Sequence, residues 1–234
     1  NKPQIFYDVS SRNVNEFLSE SVPGISAKVF RTYHASNVVR ASLYSSKVKP
    51  EHPQYKKWQA AVVANREAAI LCNHVKQPPK NWADRKKKFA ERKRKAKERI
   101  KKAQDREKEL KAQLKKLKKE AVEKKKTAKS REQKQKVAER YKKRIATKEN
   151  QLEKTAIRIE KAYIAEGKLK AQISLAQDNR NWNLGTSQKS YIDPRVYYNW
   201  GQKIDYDVLE KYYSKTLRSK HQWVKNPQLN PEAV

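Results

Sequence analysis

The sequence of 234 residues has no methionine and a single cysteine, Cys72. One cysteine excludes a disulfide within the chain, and no set of cysteine and histidine has the spacing of a zinc site. No run of about 18 apolar residues occurs, so the sequence predicts neither a membrane-spanning helix nor a secretion signal. We therefore expect a reducing compartment and no membrane partner. Because even an initiating methionine is missing, we expect the chain to be part of a longer protein.

Acidic residues are also scarce, with 25 Asp and Glu against 57 Lys and Arg, a formal net charge of +32. The positive field of such a chain attracts polyanions, so nucleic acid is the expected partner. Ribosomal proteins and proteins of acidic membrane surfaces have similar compositions. The charge therefore indicates a class of partner and leaves the chemistry open.

The basic residues are concentrated between residues 85 and 170, which hold 36 Lys and Arg and 13 Asp and Glu, a net charge of +23. This stretch has no proline, and Gly167 is its only glycine. Pro78 and Pro79 precede it, and the polar segment 178–181 follows it, so both ends are suited to helix boundaries. We expect three parts, residues 1–80, 81–178 and 179–234.

Apolar residues in the middle part recur every seven residues, which predicts two helices with matching apolar seams. The first seam holds Phe89, Ala96, Ala103, Leu110 and Leu117, with Ile100, Leu114 and Ala121. The second holds Ala138, Ile145, Leu152 and Ile159, with Tyr141, Ala162 and Leu169. Ser130 and Gln133 have the spacing of a capping box, so we expect an antiparallel hairpin that reverses near residues 124–129. Arms of about 40 residues would extend about 60 Å into solvent, as a spacer, a dimerisation element or a nucleic-acid contact.

Two polar residues of the first part stand out from their surroundings. Residues 55–74 predict a helix, and His74 ends its last apolar turn. Arg31 lies in the stretch 25–33, whose residues we expect to be packed. An arginine in such a stretch often extends to the surface, and a histidine at a helix C-terminus often interacts with the helix dipole. Each residue alone is therefore weak evidence for a site.

Tyr191 lies between a loop and a proline turn in the segment 184–195. Transfer of a phosphodiester through a side chain needs a nucleophilic oxygen and donors that neutralise charge on the non-bridging oxygens. Tyr191, Arg31 and His74 together can supply these groups without a metal. A phenol is a weak nucleophile until cationic neighbours stabilise its phenolate, so we expect an arginine near it.

Five segments in one order carry a resemblance to a known family. They are Ala27–Tyr33 with Ala35 and Ser36; Ala69–His74 with Pro78, Pro79 and Lys80; the basic two-helix stretch; Leu184–Ser187 through Tyr191–Arg195; and Tyr213–Arg218 with Trp223. This order resembles the C-terminal part of a eukaryotic-type DNA topoisomerase IB. The resemblance implies a mainly α fold: the helical half of a catalytic core domain (1–80), a basic antiparallel coiled-coil linker (81–178) and a small helical C-terminal domain carrying the nucleophilic tyrosine (179–234).

The resemblance also implies roles for single residues. Tyr191 would attack duplex DNA and form a 3′-phosphotyrosyl bond, while Arg31 and His74 would bind the non-bridging oxygens of the phosphoryl group. Lys28 and Thr186 would hold the nearby DNA backbone. The free end then swivels to relax supercoils before religation. Neither ATP nor a metal nor another cofactor is implied, and the compartment would be the nucleus of a eukaryote or the cytoplasm of an archaeon.

The sequence departs from the family at several positions. Ser190 precedes the nucleophile, and His34 follows Arg31-Thr-Tyr33, where the family usually has asparagine. The first change leaves sensitivity to camptothecin-like poisons open. The family also uses an upstream arginine and lysine, whereas residues 1–26 contain only Lys2 and Arg12, outside any matching motif.

We therefore expect this chain alone not to relax DNA. The absent groups would come from an N-terminal portion of the same enzyme or from a complementary subunit. Two alternatives stay open: a non-catalytic basic coiled-coil protein that binds nucleic acid, and a tyrosine recombinase, which shares the chemistry and lacks the long basic hairpin.

Overall fold

The structure, a computed structural model, describes residues 6–230, and most of this range is α-helical. The expected mainly α class is confirmed. Lys2 lies outside the described residues. The nine α-helices of this range are α1 (Ser11–Ser21), α2 (Ala27–Ser45), α3 (Gln54–Leu71), α4 (Trp82–Thr127), α5 (Arg131–Asp178), α6 (Leu184–Ser190), α7 (Pro194–Lys203), α8 (Val208–Lys211) and α9 (Lys215–Lys220), with a 3₁₀ turn at Gln222–Lys225. The chain divides into two compact units, one of residues 1–80 and 171–234 and the other of residues 81–170.

The unit of residues 81–170 is an antiparallel helical hairpin, as the heptads predict. Lys118 pairs with Glu149 at 2.8 Å, and Gln104 Nε2 donates to Tyr163 Oη at 2.9 Å. The two arms join through residues 128–130, and Ser130 Oγ accepts from the backbone N–H of Gln133 at 3.1 Å. The first N–H groups of an α-helix have no hydrogen-bond partner within the helix. This capping bond satisfies one of them and helps to fix where α5 begins.

The seam of the hairpin was predicted from apolar residues alone, but it also buries polar ones. Ile100, Leu110 and Leu117 are buried, as expected for an apolar stripe. Thr155 and Glu166 of α5 are also buried, at 5% and 9% exposure. Thr155 Oγ1 donates to its own helix, at the Gln151 carbonyl, and Glu166 pairs with Lys170, so neither polar group is left without a partner.

Ala138, which the heptads place in the seam, is exposed. It lines a groove between the arms together with Ala121, Val122 and Lys125 of α4. The side chain therefore faces the other arm without being buried by it.

The other unit is built on α2 and α3, which pack against each other, with α6 on α3 and α7 on α2. The core side of α3 is lined by alanine, which allows neighbouring helices to approach closely. Large aromatic side chains of the C-terminal part fill the remaining space. The core residues of α3 and α7 are Ala60, Ala61, Ala64, Ala68, Val196, Tyr197 and Trp200.

Buried polar groups join the C-terminal helices to α3. The hydroxyls of Tyr197 and Tyr212 both donate to the Ala61 carbonyl, at 3.1 and 3.2 Å. Lys57 is only 1% exposed, and its ammonium donates to the carbonyls of Pro50 and Asp205 at 2.8 and 3.0 Å. A buried ammonium is tolerated when carbonyls replace its water, so Lys57 ties the start of α3 to the turn after α7.

The expectation that the stretch 25–33 is packed is wrong. Val29, Phe30 and Tyr33 are 50%, 47% and 63% exposed. The buried residues of α2 begin at Ala35, because α3 and α7 cover only the later turns of this helix. The first turns of α2 therefore present both apolar and basic side chains at the surface.

Gly201 provides a test of the packing of α7 against α8. A Cβ at this position would lie 2.5 Å from the Tyr206 carbonyl oxygen and 2.6 Å from Val208 Cγ2. Gly201→Ala should therefore destabilise the protein by about 1–3 kcal/mol, despite the higher helix propensity of alanine. Gly185→Ala is the matched control, because its Cβ would meet nothing closer than 3.5 Å. Urea unfolding should give a lower midpoint for the first variant only, and equal midpoints would contradict the packing described.

His221 makes stability depend on pH. The ring is 5% exposed and packs on Tyr213, and neither ring nitrogen has a hydrogen-bond partner within residues 6–230. Burial lowers the pKa of His221, the Lys220 ammonium lowers it further, and Asp193 opposes them. The unfolded chain then binds the proton more readily below pH about 6.5, so stability should fall as the pH drops through that value.

His221→Phe should reduce this loss of stability, because it removes the group that must be protonated while buried. The measurement is the urea midpoint between about pH 7.5 and about pH 5.5. His34→Gln, at an exposed histidine, is the control and should leave the pH dependence unchanged. The same slope in wild type and His221→Phe would show that other groups cause the effect.

Candidate active site around Tyr191

Helix α2 supplies two basic side chains on one face. Lys28 and Arg31 are three residues apart, which places them on neighbouring turns of the same side. The helix begins at Ala27, whose backbone N–H donates to Asn15 Oδ1 at 3.0 Å. Both basic residues are exposed, so their charges are available to a ligand in solvent.

His74 is placed by the way α3 ends. Asn73 has a φ of 53°, a left-handed conformation that asparagine tolerates better than most residues. The N–H of His74 donates to the Ala69 carbonyl at 2.8 Å, and that of Asn73 donates to the Ile70 carbonyl at 3.0 Å. This pair of bonds is the Schellman motif, which turns the chain sharply after the helix. His74 therefore leaves the helix axis and projects from a fixed turn.

Tyr191 lies in the short connection between α6 and α7. Asn183 caps α6, and its side chain accepts from the N–H of Thr186 at 3.4 Å. Asp193 caps α7, which begins with Pro194 at the position where its missing N–H is harmless. Local caps therefore fix where both helices begin, and residues 191–193 connect α6 to α7.

The structure brings four of the five predicted site residues together. The Arg31 guanidinium carbon and the Lys28 Nζ lie 5.5 and 5.9 Å from the centre of the Tyr191 ring. The His74 and Tyr191 ring centres are 5.1 Å apart. The fifth residue, Thr186, is in the first turn of α6, and its hydroxyl makes no hydrogen bond to any described residue. Tyr191 therefore sits beside two cations of α2 and an imidazole from the turn after α3.

Three bonds not foreseen from the sequence hold the Tyr191 segment on α2 and α3. Ser36 Oγ accepts from the Asp193 N–H at 2.9 Å, and Asn65 Nδ2 donates to the Leu184 carbonyl at 3.1 Å. The Asn183 N–H donates to the His74 carbonyl at 2.7 Å. Ser36 and Asn65 are 8% and 2% exposed. In the sequence, Ser36 and Asn65 are marked only as polar residues on otherwise apolar helix faces.

Among the described residues the His74 ring has one hydrogen-bond partner, the Ser187 hydroxyl, at 2.7 Å from Nδ1. Burial lowers the pKa of His74, and the nearby Arg31 guanidinium lowers it further. The imidazole is therefore neutral near neutral pH and can donate a hydrogen bond without carrying charge. Burial raises the pKa of the Cys72 thiol, with Arg31 opposing, so this neighbouring thiol is a poor nucleophile.

These groups can perform one kind of chemistry well. A phenol oxygen beside cationic groups suits attack on a phosphorus atom, and the same cations suit the charge that grows on the phosphoryl oxygens. Within residues 6–230 no three metal-ligating side chains are grouped. Among the described helices, none has the length and apolar character needed to cross a membrane.

The fold and the site thus define a basic, mainly α-helical protein with a cation-flanked tyrosine, and comparison with known proteins gives its family. A family described as eukaryotic DNA topoisomerase I, catalytic core, matches residues 1–107. A second, described as C-terminal topoisomerase domain, matches residues 163–231. The chain therefore belongs to the eukaryotic DNA topoisomerase I family.

Curated relatives match almost the whole chain. It is 31% identical to DNA topoisomerase 1 of Drosophila melanogaster over 94% of its length, which is 18% of that relative. The enzyme of Mus musculus is also 31% identical over 94% of the chain and 25% of its own length. The mitochondrial DNA topoisomerase I of Homo sapiens is 27% identical over 95% of the chain and 32% of its own length. The chain thus spans between 18% and 32% of the length of these relatives.

Proposed function

We propose that this chain is the tyrosine-bearing part of a type IB DNA topoisomerase. The observation that carries the proposal is the position of the Tyr191 ring, with Arg31, Lys28 and His74 all within 6 Å of its centre. Such a set neutralises a phosphodiester at the place where the phenol oxygen can attack it. Double-stranded DNA is the substrate, and relaxation of supercoils is the activity.

In the proposed reaction, the Tyr191 oxygen attacks a DNA phosphorus and forms a P–O bond as the bond to the 5′ oxygen breaks. The phenol loses its proton, and the leaving oxygen gains one to become a 5′-hydroxyl. Arg31 and the neutral His74 hydrogen-bond the non-bridging oxygens, while Lys28 and Thr186 contact the adjacent backbone. The free end swivels, and the 5′-hydroxyl then reverses the attack. Because the phosphotyrosyl bond keeps the energy of the phosphodiester, the reaction needs neither ATP nor a metal.

The same proposal assigns a role to each of the three parts of the chain. Residues 1–80 form part of the catalytic core, residues 81–178 form the linker, and residues 179–234 form the C-terminal domain. Residues 85–170 of this linker carry a net charge of +23 and would contact DNA without reading its sequence, by releasing counterions from phosphates. Such contacts would slow rotation of the free end. We propose the nucleus as the compartment.

A further portion of the enzyme completes the site in this proposal. Arg12, the one described basic residue upstream of Lys28, is exposed and paired with Glu16 at 2.7 Å. Apolar side chains around α1 and the start of α2 are exposed, a pattern typical of a surface that another segment covers. They are Phe6, Tyr7, Phe17, Val22, Val29, Phe30 and Tyr33. An upstream portion or a complementary subunit would cover them and bring the missing arginine and lysine.

The test is covalent attachment to a suicide duplex whose cleaved end diffuses away. The chain is combined with the upstream catalytic-core portion of a relative. A label at the 5′ end of the cut strand should stay with the protein, and a label at its 3′ end should be released on a fragment with a 5′-hydroxyl. The chain alone should give no relaxation of plasmid DNA.

Each other result points to a different conclusion. Binding without any adduct would favour a non-catalytic basic coiled-coil protein, and an adduct restricted to one defined sequence would favour a recombinase. Efficient relaxation by the chain alone would show that its site needs no further portion.

A further inference from the structure

The Ser187 hydroxyl has no role in the reaction proposed above, yet it is completely buried against His74. Its side chain is 0% exposed, and His74 Nδ1, at 2.7 Å, is its one hydrogen-bond partner within residues 6–230. A hydroxyl has one proton to donate and two lone pairs, and a buried donor without an acceptor is costly. If Nδ1 carried the proton and donated to Oγ, the hydroxyl proton would have no acceptor. The bond is therefore satisfied when Ser187 donates to Nδ1.

We propose that Ser187 is a positioning residue that fixes His74 as the tautomer with its proton on Nε2. Because Nδ1 accepts from the serine, Nε2 keeps the N–H and presents a donor. In the described part of the chain Nε2 has no partner, so this donor is available to a ligand. The proposal rests on the proposed function, in which that ligand is a non-bridging oxygen of the DNA phosphate.

The backbone around Ser187 supports the same geometry. Asn183, one turn before Ser187 on α6, donates its N–H to the His74 carbonyl at 2.7 Å. The first turn of α6 thus binds His74 at both its carbonyl and its ring. Asn65, which is 2% exposed, holds the start of that turn by its bond to Leu184. A histidine bound at two points has one ring orientation, which a positioned donor requires.

The tautomer can be measured without any activity. In the full chain labelled with ¹⁵N, long-range proton–nitrogen correlation near neutral pH should show His74 Nε2 as the protonated nitrogen and Nδ1 as the unprotonated one. Ser187→Ala should produce a mixture of tautomers, and Ser190→Ala on the same helix should leave the wild-type spectrum unchanged. A proton on Nδ1 in the wild-type chain would overturn the proposal, whatever the variants do.

A kinetic cycle tests whether the tautomer matters for cleavage. In the chain combined with the upstream portion, Ser187→Ala should slow single-turnover cleavage of the suicide duplex about tenfold to a hundredfold, less than the ~10²–10³ typical of losing the donor itself. Added to His74→Gln, the same change should slow cleavage no further, because Ser187 acts through His74. Equal losses in both backgrounds would mean a general structural role and overturn the proposal. If the wild type forms no adduct, the proposed function fails while the tautomer result stands.

Discussion

Tyr191→Phe is expected to abolish the covalent DNA adduct while leaving the fold and the DNA affinity intact. The substitution removes one oxygen, and that oxygen has no hydrogen bond to any described residue, so little stability depends on it. Loss of a nucleophile costs a factor on the order of 10⁴ or more in rate, because no other group can form the same intermediate. The basic hairpin, which supplies most of the net charge, is unchanged. The measurement is adduct formation on a suicide duplex, with binding followed separately by anisotropy.

Tyr198→Phe is the matched control for this experiment. Tyr198 is also half-buried and lies on α7, close in sequence to Tyr191. The control should form the adduct at the wild-type rate, and peptide mapping should find DNA only on the peptide that contains residue 191. An adduct retained by Tyr191→Phe would assign the nucleophile to another side chain and remove the basis of the mechanism.

Arg31→Ala is expected to slow cleavage by a factor of about 10²–10³, the usual effect of removing one donor that stabilises transition-state charge. Arg31 is exposed and lies 5.5 Å from the Tyr191 ring centre, so its removal should affect the chemistry more than the folding. Arg31→Lys should recover only part of the rate, because an ammonium cannot reproduce the planar fork of two donors. Single-turnover rates at saturating enzyme separate this effect from weaker binding.

Arg40→Ala controls for the loss of charge alone. Arg40 is an exposed arginine of the same helix, nine residues further on, where the α-helix faces the other way. The control should change the salt dependence of binding slightly and the cleavage rate by less than about twofold. Similar rate losses in both variants would mean that Arg31 contributes general DNA attraction and no specific contact.

The hairpin was predictable because its signal is local and repeated. A seven-residue period over both arms predicts two helices, and Ser130 with Gln133 predicts where the second begins. The polar seam positions Thr155 and Glu166 were missed, because their burial depends on the register between the arms. Ala138 faces the groove between the arms and is nevertheless exposed.

The candidate site was predictable only in part. The motif segments singled out Tyr191, Arg31, His74 and Lys28, which the fold then brings to one place. Composition and periodicity alone left each of them open to an ordinary structural explanation. Ser36, Asn65 and Ser187 could not be chosen from the sequence, since each acts through a bond to a segment more than a hundred residues away. The exposed start of α2 was missed because an apolar stretch does not reveal which of its residues meet a neighbour.

Polar pairs between the two arms also limit how the hairpin can change in length. Lys148 donates to Gln113 at 2.8 Å, and Lys118 pairs with Glu149, so these contacts exist in one alignment of the arms. A slide by one heptad would keep the apolar period and separate both pairs, because a polar position in a coiled coil disfavours other alignments. Seven residues inserted into one arm alone would therefore bulge or shift the turn. Growth or shortening of this rod needs matched changes in both helices.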